Sequence, residues 1–559
     1  MATIIEQLKK IFNIKNELKE TINGLGGTCD NNFTKYKERL AKLIIERDAS
    51  IGNYFSIFNI PSYVTKIGDY AFPNAKFEEI TVPNTITTIG EKAFYNNRLL
   101  KKVTLPDTIT LIGADSFNNC VELKEINLPN SIEYIGTGAF NNCRKLGNIT
   151  LPQNIKQIGS YTFANNRSLT DFQIPSTVTS IGDSAFSSCR KLGNITLPDG
   201  LISIGNSAFA YNEAMTEVTI PDSVTVINNA AFRYMLKLKK ITFGDTINFL
   251  SDWCISDCPE LEEIDMKDNN LNQIPTNFAM NDVKLNKVKL SNSLQIIGIS
   301  AFQNCSALTN ITLPNSLITI GQSAFQNCSN LTGVTIPDGV TNVMSSTFNS
   351  CTSLSTVDLP NNIKSIGDYS FNQCLALTGV TFPNNVITLG AYAFNNCSLL
   401  TTITLPNSVT TLDNGVFREC RKLTEINLSS NLKTIGAACF QNDISLTDIT
   451  IPDSVVSILQ NAFEGCSKIS EITIPNQITT LENTLLRGCS NLETVTLPNT
   501  LTKIGDHVFD ACTSLKNINY NGTKAQWTAI QKPSTNYYKN GAKIVCTDGE
   551  FPMTATMNP

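Results

Sequence analysis

Apolar positions along this chain recur in blocks, and phenylalanine marks the register. Phe94, Phe117, Phe140, Phe163, Phe186, Phe209 and Phe232 follow one another at 23-residue steps. Ile255 takes the next place and Phe278 the one after. One added residue precedes Phe302. The step of 23 then runs through Phe325, Phe348, Phe371, Phe394, Phe417, Phe440, Phe463, Leu486 and Phe509. Phe72 opens the series, 22 residues before Phe94, which makes 20 repeats, 18 of them with Phe at the anchor.

The stretch from Leu308 to Cys328, LTNITLPNSLITIGQSAFQNC, is a clean copy of the unit. Ile311 and Leu313 alternate with Thr312, the period of a half-buried strand. Pro314 has no N–H and closes that strand. Leu317 to Ile320 carries a second period of two. Gly321 then suits a turn that needs positive φ, and Ala-Phe-x-x-Cys returns the chain inward. A unit this short cannot bury its own apolar set, but stacked copies form one continuous core. Twenty coils at the inter-strand spacing of about 4.8 Å predict a sheet on the order of 95 Å long. The phenylalanines become an internal ladder, each contributing roughly 1.5–3 kcal/mol by burial.

Thirteen repeats place Cys three residues after the anchor, from Cys120 to Cys512. Asn97, Asn166, Asn212 and Asn281 stand at that spacing in others. The exchange of Cys with Asn predicts a small buried side chain that hydrogen-bonds backbone in the next coil. Parallel stacked side chains give poor S–S torsions, and the chain's 17 cysteines are an odd number, so the reading is a ladder of thiols in a reducing compartment. Cys254 and Cys258 have a zinc-like gap but no second pair nearby.

This pattern resembles the BspA-like class of leucine-rich repeats, found in bacterial surface proteins, protists and some phage proteins. The resemblance covers about Ser56 to Tyr520. It implies a leucine-rich-repeat solenoid, mainly β, of about 20 coils of 23 residues, with a small N-terminal helical module and a C-terminal cap. The domain expectation is a docking module at 1–50, the repeat array at 51–519, and a cap and tail at 520–559. The region from Phe243 to Ser300 departs most: Gly244, Lys267 and Ser291 replace the Pro, and Ser251 and Ile274 replace the Gly. A distorted coil is expected there, with a bend between two halves as one form of it and ordinary drift as the other.

Tyr520 to Gly549 breaks the period and resembles the tail piece of bacterial members, with Trp527 and Ile530 placed to cover the last anchor. FPMTATMNP at the end is expected to be loose. At the other end, Ile4 to Ile22 reads as an amphipathic helix, with Ile4, Leu8, Ile11 or Phe12, Leu18 and Ile22 near a 3.6 period. GLGGTCDN is a loop, and Asn32 caps a second helix from Phe33 to Glu46. The helix, the Gly loop and Phe33, Tyr36 and Leu40 resemble a module near the ends of phage tail and other virion proteins. A plain helical cap for the array is the alternative.

Composition narrows the function classes. Net charge is −5 and charged residues are 16%, so no basic footprint for nucleic acid is present. No apolar run of about 18 residues exists, so no membrane insertion is expected. The first residues lack the unbroken apolar stretch of a signal peptide, and synthesis in a cytosol is expected. The lone histidine, His507, leaves no Ser-His-Asp or Cys-His constellation. Phosphate loops, dinucleotide fingerprints and calcium loops are missing as well. Sequons such as Asn194-Ile-Thr and Asn310-Ile-Thr come with the repeat. No catalytic residue, cofactor or metal site is assigned.

The outward face of the first strand is read by columns. Its central position is Thr in 13 of 20 repeats, including Thr104, Thr150, Thr196, Thr312, Thr404 and Thr496. Elsewhere it holds Asn127, Gln173, Asp265, Lys289, Asp358, Asn427 or Asn519. Binding hot spots favour Trp, Tyr and Arg, so this column is a weak recognition surface. Two residues earlier the column is acidic at Glu79, Glu125, Asp171, Glu217 and Glu263, and again at Glu425, Asp448 and Glu471. Between them Asn310, Gly333, Thr356, Gly379 and Thr402 form a neutral strip, expected to contact another subunit.

The functional expectation is a non-enzymatic phage virion appendage, a fibre or spike attaching to the bacterial host surface. Residues 1–50 would dock to other virion or surface proteins. The repeats would bind a host protein or glycan, and the assembly would be a homo-oligomer located in the virion. The alternative is a cell-surface adhesin of a gut bacterium or protist. A depolymerase would need paired carboxylates in a cleft, whereas acidic residues here recur singly, one per coil.

Overall fold

The computed structural model describes residues 57–60, 62, 64–533 and 542–551. The expected helices at Ile4–Ile22 and 33–46, the docking module and the terminal PMTATMNP lie outside the described residues. The chain forms two compact units divided between Asn154 and Ile155. Both are β-solenoids in which each coil repeats after about 23 residues, some 20 turns in all, and the one described helix is Lys524–Ala529.

In the first unit, Ile57–Asn59, Glu79–Thr81, Lys102–Thr104 and Glu125–Ile126 pair in parallel on one face. Thr88–Ile89, Leu111–Ile112 and Tyr134–Ile135 do so on another. The second unit repeats the scheme, with two-residue strands such as Ser203–Ile204 and Val226–Ile227 on the second face. Burial alternates as the period of two predicts: in Lys102–Thr104 only Val103 is buried. Pairing is less complete than the pattern suggested. Ile311 and Leu313 are buried around exposed Thr312, yet that coil has no paired first strand.

The phenylalanine ladder fills both interiors. In the first unit Phe72, Phe94, Phe117 and Phe140 stack at 5.4, 5.1 and 5.5 Å. In the second, Phe325, Phe348 and Phe371 are fully buried and stack at 5.5 and 5.4 Å, with planes within 12°. A third side is held by the turns around each anchor, where backbone N–H groups donate to the following coil. Phe325 N bonds Thr347 O at 2.9 Å and Asn327 N bonds Asn349 O at 2.8 Å. The residues two before and two after the anchor have positive φ, as at Ser323 and Asn327.

Gly321 is therefore needed for another reason than the expected positive φ. Its own φ is ordinary, and a Cβ there would meet the Gly298 carbonyl carbon at 2.6 Å. The coils approach backbone to backbone at this column, and only glycine lets them stack so tightly.

The departure between Phe243 and Ser300 is a one-residue register change inside the second unit. Lys240 pairs with Glu263, 23 residues on, but Glu263 pairs with Lys287, 24 on, while Gln273 to Ile296 is again 23. The extra residue thus lies between Asp265 and Gln273, earlier than the spacing of phenylalanines suggested. Lys267 there has φ +50. The buried Asn269 side chain closes the bulge: its Nδ2 donates to Met266 O at 2.7 Å, and its Oδ1 accepts from Leu271 N at 3.2 Å.

Two assignments change as a result. Ile255 N donates to Phe278 O and Ala279 N to Ala301 O, so Ala279, not Phe278, occupies the anchor. Pro275, not Ile274, stands in the glycine column, where it faces Gly298. Seventeen anchors are then phenylalanine, one fewer than the 18 counted from spacing. Phe278 is still buried, but its ring meets Phe302 edge-on at 6.1 Å and 81°, so the parallel stack breaks at this coil.

Beyond the last coil, Thr523 caps the helix Lys524–Ala529 through a reciprocal bond pattern with Gln526. Trp527 and Ile530 are buried, and Trp527 packs edge-on against Tyr520 at 5.3 Å.

Candidate binding surface

The column three residues past each anchor is chemically the most loaded part of the interior. The 16 described cysteines are buried thiols. Cys120 Sγ donates to Phe94 O at 3.3 Å and Cys328 Sγ to Phe302 O at 3.2 Å. Each of the 13 thiols in this column thus bonds backbone of the preceding coil, not the next one. Burial pushes the Cys120 thiol up to about 12, which removes the thiolate needed for reaction. Iodoacetamide should therefore leave Cys120 to Cys512 unmodified in the native chain and label them all in denaturant. Rapid native labelling of Cys328 or Cys351, read by peptide mass spectrometry, would contradict this packing.

Asn97 shares the column and its Oδ1 accepts from Ala75 N at 2.6 Å. Asn281 does not: after the register change it stands one place earlier, with φ +68, and Asp282 takes the buried place. Cys258 N donates to Asp282 Oδ1 at 2.7 Å. Asp443 occupies the same column one coil before Cys466 and is fully buried, with neither carboxylate oxygen in a hydrogen bond. Burial pushes both carboxyls well above the usual range; the backbone at Cys258 and Cys420 opposes this only in part. Cys254 and Cys258 are both buried, and among the described residues no three His, Cys, Asp or Glu gather as metal ligands. His507 is half exposed and its Nδ1 lies 2.7 Å from Asp510 Oδ2.

On the outward face, the five residues of the neutral strip are brought together only in part. Gly333 pairs with Thr356, and Gly379 with Thr402, which continues to Glu425. Asn310 is exposed on the unpaired coil. Gly333 and Thr356 line a shallow depression of about 410 Å³ with Thr312, Thr335 and Asp358. Thr335 Oγ1 donates to Asp358 Oδ2 at 3.0 Å, which fixes one wall. The flanking acidic columns are less bare than the sequence suggested. Lys287 and Lys240 sit at 3.0 and 3.1 Å from Glu263 and hold its carboxyl below the usual range. Lys102 similarly pairs with Glu125 at 3.0 Å.

A second surface was missed by reading strand columns alone. It lies on the turns of the second unit, at the positive-φ places two residues before and after the anchors. Tyr211 and Tyr234 stack there at 4.7 Å and 20°. The Arg233 guanidinium lies 4.5 Å over the Tyr234 ring and 4.1 Å over Trp253. Arg233 Nε donates to Asp257 Oδ2 at 2.8 Å. Asp257 Oδ1 also ends a run of amides: Asn327 donates to Asn304, Asn304 to Asn281, and Asn281 to Asp257, at 2.7, 2.6 and 2.7 Å. The available signal was compositional: Trp253 is the one tryptophan of the repeats, and it stands two residues before an anchor.

The family described as BspA type leucine rich repeat region matches residues 44–170, 156–281, 272–401, 353–444 and 433–532. No curated protein matches the chain. Among solved structures, a leucine-rich repeat protein from Bacteroides ovatus is 22% identical, over 88% of this chain and 92% of that one, with a TM-score of 0.27. A leucine rich cell surface protein from Faecalibacterium prausnitzii is 23% identical, over 86% and 92%, with a TM-score of 0.20. A leucine-rich repeat protein from Eubacterium ventriosum is 21% identical, over 73% and 90%, with a TM-score of 0.32.

Proposed function

Because the chain belongs to the BspA type leucine-rich repeat family, we propose that it is a non-enzymatic adhesive protein of a cell surface. Its coils would bind a protein or glycan on a neighbouring surface. The observation that carries this reading is the family match along residues 44–532, on a solenoid whose side chains face either a dry interior or long exposed columns. Stacked repeats of this kind present extended surfaces suited to contact with large partners. The expectation of a phage virion appendage draws on the resemblance and missing apolar leader of residues 1–50, which lie outside the described residues, and on the thiol ladder; family membership favours the surface adhesin over it. No helix among the described residues is long and apolar enough to cross a membrane.

The reading is tested with fluorescent beads coated with the full chain and applied to cultured epithelial monolayers. Saturable adhesion, competed by soluble chain, is expected. Binding no greater than that of albumin-coated beads overturns it. Residues 1–50 are proposed to dock to another surface protein.

We further assign Asn310, Gly333, Thr356, Gly379 and Thr402 to contact between copies of the chain. Arginine at Gly333 and Gly379 would place bulk and charge on that strip: a Cβ at Gly379 would meet nothing within 4 Å, and one at Gly333 would press on the Thr356 hydroxyl at 2.7 Å. The double variant should sediment as a smaller species than the parent. An unchanged sedimentation profile removes the strip from consideration.

A further inference from the structure

The exposed end of the Tyr211–Tyr234–Arg233–Trp253 cluster has the form of a sugar platform. Tyr234 has Tyr211 on one ring face at 4.7 Å, and the Arg233 guanidinium at 4.5 Å must lie over the other. Trp253 follows on the far side of that guanidinium at 4.1 Å. The open face of the stack is therefore the outer side of Tyr211, which is 50% exposed. The equivalent place one coil earlier holds Ser188, with φ +61, a side chain too small to cover a ring. Coils are spaced at about 4.8 Å, the separation of the two tyrosine rings. The geometry thus accepts one more flat group, one ring thick, on Tyr211.

The perimeter decides which group. Glu213, two residues beyond Tyr211, pairs with Arg190 of the preceding coil at 3.1 Å. Ser188 adds a hydroxyl. Arg233 is held by Asp257. Charges at the platform are already matched, so it exerts little net field on an ionic ligand. A partner's aromatic side chain would cover Tyr211 but bring only an apolar edge towards the Ser188 hydroxyl and the Arg190–Glu213 pair, and would add no hydrogen bond to them. A pyranose combines an apolar C–H face with a perimeter of hydroxyls, and satisfies both.

We propose that Tyr211, with Ser188, Arg190 and Glu213 at its rim, binds a pyranose unit of a neutral surface glycan. This inference rests on the adhesive reading and names its ligand class.

The full chain is titrated calorimetrically with maltohexaose, cellohexaose, chitohexaose, xylohexaose and mannohexaose. At least one should bind. Tyr211→Ala should then weaken it by about tenfold or more, the scale of a single hot-spot residue, with an unchanged melting temperature. Tyr369→Ala, which removes an exposed tyrosine from the separate Tyr369–Tyr392 pair, should bind as the parent does. Absence of binding to every hexasaccharide, or parental affinity in Tyr211→Ala, overturns the proposal. Bead adhesion to monolayers oxidised with periodate, which cleaves sugar diols, separates the two readings. Adhesion that survives periodate keeps the adhesive function, points to a protein ligand and overturns the glycan. Adhesion lost only after periodate supports the glycan. Beads that fail on untreated monolayers overturn the adhesive function itself.

Discussion

Phe348→Ala should destabilise the second unit by about 3–5 kcal/mol, the cost of removing a large buried aromatic side chain. Phe348 is fully buried between Phe325 and Phe371, at 5.5 and 5.4 Å. Truncation loses its own burial and both stacking contacts, each worth roughly 0.5–1.5 kcal/mol beyond area. Relaxation is limited because the backbone on either side is tied to its neighbours: Phe348 N bonds Ser370 O at 2.8 Å, and Cys374 Sγ bonds Phe348 O at 3.3 Å. In a stacked array, stability is roughly a sum of coil and interface terms. The loss should thus appear first as faster amide exchange in the coils on both sides of the substitution. Phe348→Leu should cost far less, since Leu486 fills an anchor in this chain and is fully buried there. A denaturation midpoint for Phe348→Ala within about 0.5 kcal/mol of the parent, the range of ordinary surface changes, would show that the ladder is not what holds the coils together.

The same ladder explains why so much of the fold was legible. One residue type at one spacing, repeated with few exceptions, is a signal that no local propensity can blur. The errors came where two residues trade places. In Asn277-Phe278-Ala279 the aromatic precedes the alanine, whereas ten of the 20 repeats read Ala-Phe. Counting phenylalanines therefore hides the extra residue near Lys267 and transfers it downstream. Gly321 was assigned its column correctly but for the wrong cause, because close approach between coils leaves no trace in one repeat read by itself. The platform around Tyr211 was invisible for a related reason. Its column, two residues after each anchor, holds Asn165, Ser188, Tyr211, Tyr234 and Asp257 in successive coils, so its residue types change from coil to coil, and the positive φ shared by all five places them on the turns. The neutral strip, in contrast, was readable as a column, yet the pairing of Lys240 and Lys287 with Glu263 depends on register across coils and reduces the contrast that made the strip stand out.

Replacing Asp443 with Cys should stabilise the chain at neutral pH by about 1–3 kcal/mol, the cost usually attached to a buried polar group without a partner. Thirteen other coils carry Cys at this place, so the fit of that side chain is already demonstrated by its neighbours Cys420 and Cys466, both fully buried. Asp443 has neither carboxylate oxygen hydrogen-bonded, and burial drives its carboxyl strongly upward, with Glu419 adding to the effect and the Cys420 backbone opposing it. The sign of the pH dependence follows. A carboxyl raised in the folded state binds its proton more tightly there than in the unfolded chain. Its contribution is most favourable below the unfolded value of about 3.9, and falls as pH rises from there towards the folded value. The parent should therefore lose stability relative to Asp443→Cys as pH increases above about 4, and the gap should be smallest in acid. The cysteine brings no comparable slope near neutrality, because burial pushes the thiols of this column upward, to about 12 at Cys351. Denaturation midpoints of parent and variant between acid and mildly alkaline pH measure the gap directly. Parallel curves would mean that Asp443 binds its proton alike in the folded and unfolded chain and that solvent or a partner reaches a place the packing closes off.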